Sequence, residues 1–373
     1  MKKQSSLRNW RLATGLALLV SAGVSVVIQS APTESTTKDA VLQSIVRNVI
    51  APGYQELAVK CGALRGAVEG LVKAPTQESL DAARKAWIAA LLAARRIQWL
   101  QSGPIADREY LASFYYGKVL AVRMDELLKS SRAIDDSYLR EMGPNARGMF
   151  ALEYLLFDRK SGIPDQKNPI PSRILELFSD ARAPRRGEYV LVLAQDLETK
   201  AGELARDWTA EGDSSAAARF TAAGQASLNR TVNEVAALIE QISEQRISFV
   251  LHLPQPVSRQ LERIEGSTSG TSQQSSAALL QGLQNLYLGG DGGGLRSYVN
   301  HLNAPLAERV QRELETAIAT VEAIGVPLEQ AVAAQSGPAE KAYAKTKALE
   351  VLCKTDLASA LGITITVSSN DGD

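Results

Sequence analysis

The chain has 373 residues, enough for one large or two ordinary domains whose core needs no staple to be stable. Hydrophobic residues make up 45% of it, charged residues 22% and aromatics 5%, a globular composition that excludes disorder for most of its length and tilts the class towards helix. With 41 basic residues against 41 acidic ones, no global field gathers nucleic acid, which is therefore not expected as a partner.

The first 30 residues carry a basic start (Lys2, Lys3, Arg8, Arg11), an apolar run over 12–28 and then polar Gln29-Ser30, the layout of a Sec-type export signal. The run also sits at the lower edge of the roughly 17–25 residues that span a bilayer, so an uncleaved amino-terminal anchor stays open. No Ala-x-Ala site is present, and Pro32 would follow a cut after Ala31. On either reading the bulk of the chain is exported, which places it in a periplasm, free or held to the inner membrane. Cys61 and Cys353 are the only cysteines, and neither follows the apolar run closely enough to carry a lipid. In an oxidising compartment they could form one disulfide joining the two ends of the fold, or stay two separate buried thiols.

From Asp39 onward, apolar residues recur at helical spacing and breakers fall between long segments, which predicts an all-α chain. Helices are expected over 39–73, 79–101, 108–130 and 136–157, divided by Ala74-Pro75, Gly103-Pro104 and the 131–135 region. Four such helices with short links make a first antiparallel bundle over 39–160. The Pro-, Gly- and Asp-containing stretch 161–171 is the expected linker. A second bundle over 172–362 follows, with helices near 185–210, 215–247, 276–288, 303–324 and 338–361, and a flexible polar loop at 266–272. The glycine cluster 289–294 lacks the Lys-Ser/Thr of a phosphate loop and follows no strand, so it reads as a connector between helices. Residues 363–373 read as a short extended end and a frayed tail.

Chemistry-bearing residues are few. His252 and His301 are the only histidines; HExxH, CxxC and a G-x-S-x-G elbow are all absent. The segment 143–158 is the most informative. Projected at about 100° per residue, Met149, Phe150, Leu152, Leu156 and Phe157 share one apolar face with Glu153 near its middle. A carboxylate in a core position must be paired, metal-bound, hydrogen-bonded or protonated, because taking it unpartnered from water costs several kcal/mol. Arg84 and Arg95, at the edge of the apolar face that carries Trp87, are candidate partners, with Asn145 and Arg147 at the start of the Glu153 helix as alternatives or simple caps. Trp99 and the pair Tyr115-Tyr116 read as core or rim residues.

The run Gly148-x-Phe150-x-x-Glu153 followed by Tyr154-Leu155-Leu156-Phe157 resembles the imelysin-like family, whose signature is Gly-x-His-x-x-Glu leading into a similar run. Ala83-Arg84-Lys85-Ala86-Trp87 with Gly103-Pro104-Ile105, and Gly282-Leu283-Gln284-Asn285-Leu286-Tyr287 with Gly294-Leu295, are similar to further family patterns. The resemblance implies a periplasmic, all-α protein of two helical bundles, in a family that includes proteins linked to iron uptake and a founding member described as a metallopeptidase. Phe150 stands where the family has histidine and cannot ligate a metal, which puts peptidase chemistry by that route in doubt.

Three readings follow. The first is a binding protein in which Glu153 anchors a small ligand or a divalent or ferric cation. The second is a divergent metallohydrolase, needing Asp107, Glu109 and His252 or His301 to converge on Glu153. The third is a structural or interaction protein with a cell-envelope partner.

Overall fold

The computed structural model describes residues 38–116, 119–157, 173–179, 183–290, 293–334 and 337–366. The amino-terminal segment, the expected linker at 161–171 and the last seven residues lie outside the described residues. What is described is helical, with no strand among the described residues.

The chain enters through α1 (Lys38–Ile45), a π-helical turn (Val46–Ile50) and α2 (Ala51–Lys73), which together run where one continuous helix is expected. The stripe Tyr54, Leu57, Cys61, Leu64, Val68 and Leu71 is fully buried and recurs every three or four residues, so this helix is a central strut. Thr76 and Ser79 form a reciprocal capping box that starts α3 (Gln77–Ile97), which packs back along α2. A short helix, α4 (Pro104–Asp107), occupies the expected break after Gly103, and the segments expected as two long helices over 108–130 and 136–157 are broken into shorter pieces: α5 (Leu111–Tyr115), α6 (Ala121–Lys129), α7 (Asp136–Met142) and α8 (Met149–Leu156). Gly143 and Gly148 adopt positive φ angles of 72° and 80°, which stop one helix and let the next start in a new direction.

The long helix α9 (Ala183–Thr209), assigned from sequence to the second bundle, packs along α2 and α8 of the first. The remainder comprises α10 (Ala216–Ala222), α11 (Gln225–Glu240), a π-helical segment (Gln241–Ser248), α12 (Phe249–Leu251), α13 (Ser272–Leu288), α14 (Leu295–Leu302), α15 (Ala304–Glu322), α16 (Leu328–Ala333), α17 (Pro338–Leu352), a π turn (Cys353–Leu357) and α18 (Ala358–Ala360). Helices α14 and α16 lie in stretches where no helix is expected. α13 packs on α15, α15 on α17, and α13 also on α3. That last contact depends on Gly282: a Cβ there would stand 2.1 Å from the Arg96 carbonyl oxygen, so only glycine lets the two helices approach so closely. The described residues form one compact unit.

Cys61 and Cys353 are separate buried free thiols, so the alternative of a bridge between the ends of the fold is not realised. Cys61 lies on the stripe of α2, in the field of Glu198, whereas Cys353 lines a small apolar space with Leu283, Leu286 and Leu349.

Candidate functional site

Helix α8 is short, and its neighbours satisfy its ends. Gly148 precedes it, and a Cβ at that position would meet the Ser113 carbonyl oxygen at 2.3 Å, which explains the glycine. The Trp87 indole donates to the Met149 carbonyl at 2.8 Å and meets the rings of Phe150 and Phe157 edge-on. At the other end Arg84 donates to the Leu156 carbonyl at 2.8 Å and Arg186 to the Leu155 carbonyl at 2.7 Å, cations placed on orphan carbonyls. Arg84, expected as a partner of Glu153, is thus a cap of the Glu153 helix. It also meets Asp81, at 3.6 Å.

With both ends held, Glu153 points inward and is 7% exposed. Its Oε1 accepts the backbone N–H of Ser269 at 3.1 Å and the Ser269 hydroxyl at 2.5 Å. The segment 266–272, expected as a flexible polar loop, is instead packed into the protein, with Ser267, Thr271 and Ser272 buried and Gly266 and Gly270 turning it at positive φ. Ser269 also pairs with the Thr271 hydroxyl at 2.9 Å, and Ser272 donates to buried Glu329 at 2.6 Å. Serines that look like linker sequence are here the donors for two buried carboxylates.

The second half of the site is a charge cluster. Arg95 is fully buried; it donates to Gln98 at 2.5 Å and to Glu265 Oε1, and its guanidinium lies 5.3 Å from the centre of the Phe150 ring. Arg246 donates to the same Glu265 oxygen. The π-helical segment that carries Arg246 also presents Gln241, which accepts from Gln98 at 3.4 Å. Burial opposes ionisation of Glu265, but Arg246 and Arg95 outweigh it and hold the carboxyl below its ordinary range. Burial raises Glu153 to about 7; the Ser269 hydrogen bonds and Arg95 pull against that rise, and Glu265 adds to it. Burial lowers Arg95 to about 10.

Of the residues singled out from sequence, then, Glu153 and Arg95 come together and Arg84 does not. Ser269 supplies every hydrogen bond to Glu153 found among the described residues, so Asn145 and Arg147 are not its partners. Asn145 offers its carbonyl to the Leu120 N–H at 3.2 Å, and the Arg147 Nε is buried without a partner. Glu265, Arg246 and Ser269 were not foreseen. Arg246 carried the same signal as Glu153, a charge on the apolar face of Ile242, Ile247 and Val250, whereas nothing local marks Ser269.

The arrangement does not fit a metal centre. No group of three or more His, Cys, Asp or Glu side chains able to hold a metal occurs among the described residues. Phe150 has no lone pair, the nearby carboxylate of Glu265 is taken by two guanidiniums, and the local cations are arginines. Asp107, Glu109, His252 and His301 are exposed and do not converge on buried Glu153.

Comparison with known proteins agrees with the motif. A curated relative, iron-regulated protein A of Synechococcus elongatus, is 24% identical over 352 residues, covering 90% of this chain and 89% of that protein. Two crystal structures share the fold. One, assigned as an iron-regulated protein A precursor of Parabacteroides distasonis, superposes with a TM-score of 0.70 at 16% identity, covering 91% of this chain and 97% of that one. The other, an imelysin-like protein of Psychrobacter arcticus, gives 0.67 at 18% identity over 88% and 97%. The family model described as Imelysin, peptidase M75, matches residues 50–353, and the chain therefore belongs to the imelysin family.

Proposed function

We propose that this chain is an exported binding protein of the bacterial cell envelope, acting in iron-related physiology, and that the Glu153, Arg95, Glu265 and Arg246 cluster recognises a small ligand. Export rests on the basic and apolar amino terminus. The link to iron rests on the relative named iron-regulated protein A.

The observation that carries the binding role is the incomplete hydrogen bonding of the cluster and its surroundings. The Tyr54 and Tyr115 hydroxyls and the Nε atoms of Arg95 and Arg246 are buried with no partner. Each such group costs about 1–3 kcal/mol, and a cluster kept only for stability is expected to be satisfied. Exposure also falls inward, from 25% for the Glu265 side chain to none for Arg95, which gives a ligand a way in. Cleavage is the less favoured reading, because the cluster has neither a metal-binding set nor a nucleophile with a base beside it.

A thermal-shift screen of the full chain tests this proposal, using ferrous, ferric, calcium, manganese and zinc ions together with small organic acids, amines and sugars. The expected result is a saturable stabilisation that Glu153→Gln or Arg246→Gln changes. No stabilisation by any compound, or stabilisation indifferent to both substitutions, refutes the assignment of the site.

A further inference from the structure

Asp107, which does not reach Glu153, opens instead onto a groove of about 410 Å³ that no residue of the Glu153 cluster lines. We infer that this groove is a second, separate ligand site, for a small diamino acid of the lysine type, a molecule with two ammonium groups and one carboxylate. Asp107 and Glu211 take the ammonium groups, and Arg219 takes the carboxylate.

Three elements bring the charges together. The end of α4 supplies Asp107 and Arg108, the end of α9 supplies Asp207 and Glu211, and α10 supplies Arg219. Two of the five are already committed to the fold. Arg108 grips Asp207 as a fork, Nε to Oδ2 at 2.7 Å and Nη2 to Oδ1 at 3.0 Å, and reaches Glu203 at 3.4 Å. That pair ties α4 to α9. The other three charges are differently placed. No cation of the protein pairs with Asp107 or Glu211 among the described residues, and the Arg219 guanidinium donates only to a neutral group, the Ser214 carbonyl.

The charge count selects the ligand. Three carboxylates and two guanidiniums line the groove, and once Arg108 and Asp207 cancel, two carboxylates and one guanidinium remain. The helix α9 ends here after 27 residues, and the negative pole of its dipole adds to the carboxylates. A diamino acid at neutral pH carries the complementary set. A plain diamine leaves Arg219 without an anion, and a dicarboxylic amino acid sets like charge against Asp107 and Glu211. A metal ion suits the groove less well, because no group of three or more His, Cys, Asp or Glu side chains able to hold one occurs among the described residues. The volume is within the range of sites that take small molecules. Since the three side chains are exposed, affinity comes from matching charges in water and is modest, with a Kd of about 1 mM or tighter.

Calorimetric titration of the full chain with free lysine at about pH 7.5 and low ionic strength tests the inference, with cadaverine, alanine and glutamate as comparison probes. Lysine is expected to bind saturably, about fivefold more tightly than cadaverine, which lacks the carboxylate, and than alanine, which lacks the second ammonium. Glutamate is expected not to bind. Asp107→Asn and Glu211→Gln should each weaken lysine about fivefold. Arg219→Gln should weaken lysine by a similar factor without weakening cadaverine, a split that a merely structural role does not produce. All three positions are exposed, so the variants are expected to melt with the wild type.

No saturable lysine binding below about 10 mM overturns the inference. So does lysine binding that all three substitutions leave unchanged, which lies elsewhere on the molecule. Cadaverine or alanine binding as tightly as lysine refutes the three-charge match and with it the ligand class.

Discussion

Glu153→Gln keeps the shape of the side chain and the oxygen that accepts from Ser269, and removes only the ionisable group. Burial lifts this carboxyl from its ordinary 4.5 to about 7, against the pull of Ser269 and Arg95. In the unfolded chain it returns to the ordinary value. Between the two, the folded protein holds a proton that the unfolded chain releases, so stability falls as pH rises from about 4.5 to about 7 and then levels off. The gap, taken at 1.36 kcal/mol per pH unit, corresponds to a cost of about 3 kcal/mol for the ionised side chain above neutral pH. The glutamine variant escapes that cost. It should be more stable than the wild type by up to about 3 kcal/mol at pH 8, and the advantage should shrink to nothing below about pH 5. Urea unfolding followed by circular dichroism across this range measures the difference directly. Glu234, also raised to about 7, adds the same slope to both proteins and cancels. A difference independent of pH, or a variant weakened at pH 8, would show that Glu153 is ionised in the fold and held by Arg95, and would refute the reasoning.

Glu265→Gln should cost about 3–5 kcal/mol in the same unfolding experiment, because it strands two buried guanidiniums without their shared anion; a loss under about 1 kcal/mol would mean solvent already screens them. Gly282→Ala should destabilise by about 3 kcal/mol through overpacking, since its Cβ would fall 2.1 Å from the Arg96 carbonyl oxygen and force α13 away from α3. The buried thiols of Cys61 and Cys353 are pushed up to about 12 by burial, so neither should react with a thiol reagent in the native protein and both should react in denaturant without reductant. Two unreactive thiols in denaturant would show a bridge instead.

Much of the helical framework was legible because it follows from local periodicity. The buried stripe of α2, the Trp87 face of α3 and the long α9 all repeat apolar residues every three or four positions. Lengths were misread where a glycine with positive φ interrupts a pattern whose apolar spacing continues, as at Gly143 and Gly148. Helices α14 and α16 were missed because they span only eight and six residues, about two turns each, too short for a periodic pattern to stand out between the breakers that flank them, although α14 is strongly amphipathic. The packing of α9 along α2 and α8 shows a further limit: periodicity says that a helix has an apolar face, not which neighbour covers it.

The contrast is sharpest at the site. The sequence alone determined that Glu153 occupies a core position and that Phe150 cannot ligate a metal, because both follow from side-chain chemistry and a period of about 3.6 residues. The tertiary structure alone decided what Glu153 meets. Ser269 lies 116 residues away along the chain, and Glu265 lies 170 residues from Arg95. Arginines competing for one buried carboxylate are sorted by which helix end needs a cation: Arg84 went to the orphan carbonyl of Leu156, and Arg95, about three turns further along the same face of α3, went to Glu265. Hydrogen bonding is short-ranged and directional, so the pairing of buried polar groups is set only once the helices have packed, and no pattern within a single segment records it.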